Sequence, residues 1–256
     1  SASFTRLLLP TQRGEAALDV PPMDAAALDL AAAAEGLLGR DHDRRRQHAR
    51  ALGEVYERRA LSLAAKEWDM YSGHLHKEVA RLLDGTGFEP LGGLELILEF
   101  TNRGSADEDK VTEFSNLLLQ PIKSSDVAVV ALAARCLGQL ARAEGGHKKV
   151  KPHLENALDR LENGNRLEAA VLVLCELAEH APTLTYGHLD QIFEHLWTAM
   201  RDAKAPTRYG AQRVLRACLA LVASRPGQLR DKWYSRVYDE AQKMLTERPG
   251  AFGADG

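Results

Sequence analysis

Apolar residues recur along this chain at steps of three and four, almost without interruption after residue 23. That spacing lines one face of a 3.6-residue helix, so it predicts a succession of amphipathic helices. Residues 24–38 read as a soft Ala/Leu helix that Gly39 ends. Residues 41–62 read as a more charged one, with Ala49, Leu52, Val55 and Tyr56 on one face. Trp68, Tyr71, Leu75, Val79 and Leu82 mark the next, which the Asp84-Gly85-Thr86-Gly87 breaker stops. Pro90 stands near the start of a helix carrying Leu94, Ile97 and Phe100.

The pattern continues to the end. Ser105 followed by Glu108 has capping-box spacing and predicts a helix start, with Val111, Phe114, Leu117 and Leu118 inward and Pro121 just beyond. Ser125 or Asp126 caps a helix with Val130, Ala133, Leu137 and Leu140 inward, and Gly145-Gly146 breaks the chain. Pro152 suits the first turn of a helix burying Leu154, Leu158 and Leu161. After the Asn163-Gly164-Asn165 turn come helices built on Leu167, Ala170, Leu174 and Leu177, and on Leu189, Phe193, Leu196 and Met200. Pro206 opens one with Ala211, Leu215 and Cys218, and a last helix holds Trp233, Val237, Ala241 and Met244. No stretch reads as strand.

Helix, short turn, helix is therefore the unit, and it repeats. Aligning the second helix of each pair on its central apolar residue gives Leu52, Ile97, Leu137, Leu174 and Leu215, at spacings of 45, 40, 37 and 41. Four residues before each stands a small or polar residue: His48, Gly93, Ala133, Ala170 and Ala211. A two-helix period near 40 is the HEAT/armadillo signature. One pair cannot bury its own apolar face, so pairs stack and each completes its neighbour's core. The expected fold is all-α, a HEAT/armadillo-like solenoid of about five helix pairs plus a closing helix. It spans 23–247, with pairs near 24–62, 63–103, 105–144, 150–181 and 185–224 and the closing helix at 230–246. Residues 1–22 and 248–256 read as irregular ends.

Composition adds to this picture. Leu and Ala dominate the apolar set while Ile occurs three times, which favours helix over strand. A net charge of −3 gives no global field for nucleic acid or an anionic membrane. No apolar run approaches the roughly 18 residues of a membrane span. The opening segment has too short an apolar core for a signal peptide, and a start at Ser1 without Met reads as a processed or cloned piece of something longer.

Candidate chemistry is sparse. Cys136, Cys175 and Cys218 are odd in number and lack a CxxC pair, which argues against disulfides or zinc. They track the repeat and read as buried small apolar residues. His74 and His76 point apart on a helix and cannot chelate together. His188 and His195 lack HExxH spacing. The cluster of Arg40, Arg44, Arg45, Arg46 and Arg50 is interleaved with Asp41, Asp43 and Glu54. It reads as a solvated face, or as one that meets an acidic patch on a protein. Lys148, Lys149 and Lys151 are expected at a turn between helices. Gly85-Thr86-Gly87 and Gly92-Gly93 lack the strand and motif of a phosphate loop, so they read as a turn and a close helix contact. GxSxG, HRD and DFG are absent, and nothing in the chain could carry phosphoryl transfer. No catalytic residue, cofactor or metal is expected, and no partner-binding residue is singled out.

Several stretches, taken in order, resemble target-of-rapamycin Ser/Thr kinases of the phosphatidylinositol 3-kinase-related family. They are 124–141 (SSDVAVVALAARCLGQLA), 166–181 (RLEAAVLVLCELAEHA), 209–223 (YGAQRVLRACLALVA), 232–236 (KWYSR) and 239–243 (DEAQK). The resemblance covers roughly 28–246 and is weaker over 40–120. It implies an amino-terminal HEAT-repeat segment, with the kinase domain elsewhere in a very long chain. It implies protein partners: a Raptor-like adaptor, a Rheb-like GTPase where the organism uses one, and the rest of the complex. The implied setting is nutrient and growth signalling, in the cytoplasm and on lysosomal or vacuolar surfaces, without nucleic acid or membrane insertion. Two readings compete: an unrelated HEAT-repeat adaptor or transport scaffold, and a nucleic-acid enzyme such as a DNA glycosylase built on HEAT-like repeats. The second requires a groove rich in Lys and Arg, which the balanced charge opposes.

Overall fold

A computed structural model describes residues 35–104 and 108–247. Among them there is no strand; eleven α-helices and one 3-10 turn follow one another. In chain order they are α1 (His42–Ser62), α2 (Ala65–Leu83), α3 (Glu89–Asn102) and α4 (Glu108–Leu117), then the 3-10 turn Pro121–Lys123 and α5 (Val127–Arg142). Next come α6 (Gly146–Glu162), α7 (Leu167–His180), the short α8 (Pro182–Tyr186), α9 (Leu189–Met200), α10 (Ala205–Ala223) and α11 (Gly227–Glu247).

The helices form two layers. α1, α3, α5, α7 and α10 pack side by side in that order, each against its predecessor. Behind them, α2 backs α3, α4 backs α5, α6 backs α7 and α9 backs α10. This is the stacked-pair architecture expected of a helical solenoid, with one apolar core running through every pair. The predicted helix at 24–38 lies almost wholly outside the described residues, as do Ser105 of the proposed capping box and the two chain ends.

Local chemistry sets the helix starts. Asp41 caps α1, its Oδ1 accepting from the Asp43 and Arg44 amides at 2.9 and 3.2 Å. Asp126, rather than Ser125, caps α5 through the Ala128 amide at 2.8 Å. Each bond satisfies an amide that has no partner within its helix. Pro90 and Pro206 both sit in first turns, where a missing N–H costs little.

Pro152 does not open its helix. α6 begins at Gly146, straight after Gly145, whose φ of 70° makes the sharp entry that a side chain would oppose. Pro152 then lies inside α6 on its exposed side, so the cost of its missing amide falls where water can reach the freed carbonyl. Lys148, Lys149 and Lys151 consequently lie on α6 and not in a turn.

The glycine pair does serve close packing. A Cβ on Gly92 would come within 2.6 Å of the Leu37 carbonyl oxygen, and one on Gly93 within 3.1 Å of Leu83. Leu37 is thereby fully buried against the start of α3. The first repeats are also held by rings: Tyr56 meets Trp68 and Phe100 with centroids 4.6 and 4.7 Å apart, and Lys110 lies over Trp68 at 4.9 Å.

Candidate protein-binding surface

The second-helix layer has a side turned away from α2, α4, α6 and α9, formed by α1, α3, α5, α7 and α10 in turn. Of the residues aligned at the repeat centre, Ile97, Leu137 and Leu174 are fully buried, as are Ala133, Ala170 and Ala211, and Leu52 is buried. Leu215 is only half-buried, at the margin of the core. The inward face of α10 is Gly210, Ala211, Val214, Cys218 and Val222, because α10 packs on a second helix along one side only.

The outward strip of this layer carries charge that alternates from helix to helix. α1 presents His42 and Arg46, α3 Glu99 with Glu95 buried beneath, α5 Arg135, α7 Glu176 and Glu179, and α10 Arg213. His42 Nδ1 is 3.3 Å from Glu95 Oε1, and Arg213 Nη2 is 3.7 Å from Glu179 Oε1. Arg135 lies between, attracting both Glu95 and Glu176. Burial nevertheless pushes the Glu95 and Glu176 carboxyls above the usual carboxylate range, against the pull of these neighbours. Glu95 is the extreme case, at 3% exposure.

The layer is also relieved. A groove of about 300 Å³ between α1, α3 and α5 is lined by His42, Arg45, Leu91, Ala131, Leu132 and Arg135. A second depression, about 340 Å³, lies where α5, α7 and α10 begin, among Ser125, Val127, Arg166, Leu172, Lys204 and Thr207. Arg166 adopts a left-handed backbone (φ 49°) there, and its guanidinium donates to the Lys123 carbonyl. Arg160 donates to the Ile122 carbonyl at 3.3 Å, so two arginines tie successive turns together.

The remaining sequence candidates are structural in placement. Cys136, Cys175 and Cys218 are buried and free. Burial raises all three thiols, Cys175 to about 11 and Cys218 to about 12, which removes thiolate reactivity. His76 is buried and pairs with Glu113 at 2.9 Å, while His74 is exposed. Sequence reading missed His153, a buried imidazole whose Nε2 donates to the Ser115 carbonyl at 2.9 Å. Its one signal was a histidine in helical register with Val150 and Ala157. Among the described residues no group of three His, Cys, Asp or Glu is placed to hold a metal, and no helix is long and apolar enough to cross a membrane.

No family model matches the chain. Curated relatives do. The serine/threonine-protein kinase TOR of Arabidopsis thaliana is 31% identical over 198 residues, covering 74% of this chain and 8% of that protein. Its counterpart in Oryza sativa subsp. japonica is 30% identical over 219 residues, or 81% of this chain and 9% of that protein.

The chain belongs to the target-of-rapamycin kinase family.

TOR2 of Saccharomyces cerevisiae matches at 27% identity over 196 residues, 70% of this chain and 8% of that protein. The chain thus spans less than a tenth of the length of these target-of-rapamycin relatives, and corresponds to one helical-repeat segment of such a protein. A crystal structure of an engineered protein aligns over 85% of this chain and 91% of its own, at 20% identity and a TM-score of 0.45.

Proposed function

We propose that this segment is a non-catalytic scaffold of a target-of-rapamycin Ser/Thr kinase, and that the open face of its second-helix layer binds other subunits of the complex. The observation that supports this is the alternation of accessible charge across that face, from His42 and Arg46 through Glu99, Arg135, Glu176 and Glu179 to Arg213. Alternating fixed charges select a partner by register and orientation more than by bulk attraction. Repeat solenoids use such extended faces to bind other proteins.

The partners proposed are a Raptor-like adaptor and a Rheb-like GTPase. The setting proposed is nutrient and growth signalling in the cytoplasm, with recruitment to lysosomal or vacuolar surfaces through the assembled complex. The repeat unit is taken as 23–247, and phosphoryl transfer is assigned to a kinase domain outside this segment.

The test is capture of the adaptor and of the GTP- and GDP-loaded GTPase by the purified chain, with a kinase assay on the same preparation. Adaptor or GTP-dependent GTPase capture without phosphotransfer, weakened at least about tenfold by Arg135→Glu, is the expected result. Phosphotransfer intrinsic to the chain, or capture that ignores charge reversal at Arg135, overturns the reading.

A further inference from the structure

The end of α1 projects beyond the core. Its buried residues stop at Tyr56, and from Glu57 to Ser62 every residue is exposed except Arg59, which is half-buried. Leu61 is 86% exposed, the most open large apolar side chain among the described residues. Only Leu63 and Ala64 separate Ser62 from the first residue of α2. Opening this last stretch of helix uncovers no core residue, which places it at the low-stability end of the molecule.

The segment reads Glu57-Arg58-Arg59-Ala60-Leu61-Ser62-Leu63. Among the described serines and threonines, only Ser62 follows an arginine by three residues, and Arg58 stands four before it. Arginine at that spacing, with an apolar residue directly after the hydroxyl, is the pattern that basophilic Ser/Thr kinases read. They take it as an extended strand, with carboxylates of their cleft on the guanidinium.

The same corner holds a second, independent signal. Arg59 Nε is buried and has no hydrogen-bond partner among the described residues, and neither has the Tyr71 hydroxyl. The Arg59 guanidinium lies over the Tyr71 ring, 4.7 Å from its centroid. Buried donors without acceptors are costly, so this corner is short of an acceptor. Ser62 lies about one helical turn after Arg59, and its hydroxyl donates to the Arg59 carbonyl at a long 3.4 Å. A phosphate on that oxygen brings three strong acceptors and nearly two negative charges beside Arg58 and Arg59. α2 begins at the same turn without a side-chain cap from Ala64, so its first amides add to the pull on an anion. Lys66 and Glu67 of its first turn offset each other in charge.

We infer that Ser62 is a phosphorylation site for a basophilic Ser/Thr kinase, and that its phosphate is held by Arg59. The kinase moves the γ-phosphoryl of ATP to Ser62 Oγ. The new P–O bond forms as the bond to ADP breaks, and the hydroxyl proton leaves. Nothing in this depends on which partners bind the open face.

For the test, the folded 256-residue chain is incubated with magnesium ATP and a calcium/calmodulin-dependent protein kinase, which reads an arginine at that spacing. Sites are mapped by peptide mass spectrometry. Ser62 is expected to be labelled within about 100-fold of the rate of a synthetic peptide of residues 55–66, as for a site reached by cheap local opening. Arg59→Ala should slow that labelling at least about tenfold. The phosphate seat is read separately, in chain synthesised with phosphoserine at position 62, so that recognition by the kinase does not enter. Its phosphorus NMR signal should titrate below the ordinary value of about 6, and Arg59→Ala should return the midpoint to that value. Slower labelling of Ser62 than this, or labelling only once urea unfolds the chain, overturns the phosphorylation site. A midpoint that Arg59→Ala leaves in place overturns the phosphate seat.

Discussion

Arg45 and Arg208 do the same work at opposite ends of the repeat array. Arg45 Nη1 donates to the carbonyls of Gly39 and Arg40 at 2.7 and 2.9 Å, six and five residues back. Arg208 Nη1 donates to Asp202 and Ala203 at 2.9 and 2.8 Å, with the same two offsets. Both arginines lie seven residues before the repeat centre, at Leu52 and Leu215. Each clamps the turn that leads into its own second helix.

Replacing either arginine with Ala leaves two turn carbonyls without their charged donor. Arg45 is 5% exposed and Arg208 is half-buried, so the first loss is the larger. Arg45→Ala is expected to cost roughly 2–3 kcal/mol and Arg208→Ala roughly 1–2. Urea denaturation of the two variants checks the order. Equal and negligible effects would mean that water replaces the clamp at no cost.

Two glycines separate rigid from yielding neighbours. A Cβ on Gly210 would lie 2.4 Å from Val171 Cγ2, a stiff and fully buried β-branched side chain. Gly210→Ala is expected to destabilise by roughly 1–3 kcal/mol through overpacking. A Cβ on Gly53 would instead meet Arg103 Nε and Glu99 Cγ, both at 2.8 Å and both on long, movable side chains. Gly53→Ala should then be close to neutral, because the gain in helix propensity of about 1 kcal/mol offsets the shift of those chains. Thermal melts of the pair decide whether the distinction holds.

Glu95 is buried among His42, Arg45, Arg46 and Arg135, yet its carboxyl is raised above the ordinary 4.5 because burial outweighs their attraction. A group raised in this way contributes its stability below the unfolded value and loses it as pH rises through the folded one. At neutral pH the charged form therefore carries a cost. Glu95→Gln is expected to stabilise the fold by roughly 1 kcal/mol at neutral pH, with the gain vanishing once pH falls below that ordinary value. A destabilised variant at neutral pH would show that the surrounding cations win.

His153 works in the opposite sense. Burial lowers its imidazole below the ordinary 6.5, and the Ser115 carbonyl only partly offsets this. The neutral ring donates from Nε2 to that carbonyl, while the Ser115 hydroxyl donates to the Lys149 backbone carbonyl. Its stabilising contribution is complete above 6.5 and is lost as pH falls through the folded value. Stability measured by denaturant should fall on mild acidification below 6.5, and His153→Gln should flatten that slope. An unchanged slope would assign the effect to other groups.

The three thiols should resist modification together. With Cys175 raised to about 11 and Cys218 to about 12 by burial, folded protein at neutral pH presents almost no thiolate. Disulfide-exchange reagents should consume all three only at the rate of unfolding, in one phase. Rapid reaction of any single cysteine in native conditions would contradict the stacked-pair core.

Much of this molecule was legible from one dimension. The 3.6-residue period around Leu137 and Leu174 fixes helices, because a helix must put those positions on one face. Their recurrence every 37–45 residues fixes stacking, because no single pair can bury them alone. The quoted stretches from 124 to 243 carried the family resemblance directly. Three-dimensional neighbours decided the rest. Leu215 reads in sequence like Leu174, yet lies at the core margin because no second helix of the described chain covers that side of α10. Pro152 looks like a helix start and is a helix interior, since Gly145 supplies the entry and solvent relieves the missing amide. The alternation from Glu95 to Arg135 to Glu176 joins residues about 40 apart on three helices, a distance no local pattern spans. Periodicity determines which residues face inward, but only packing brings two helices together and decides which charges meet.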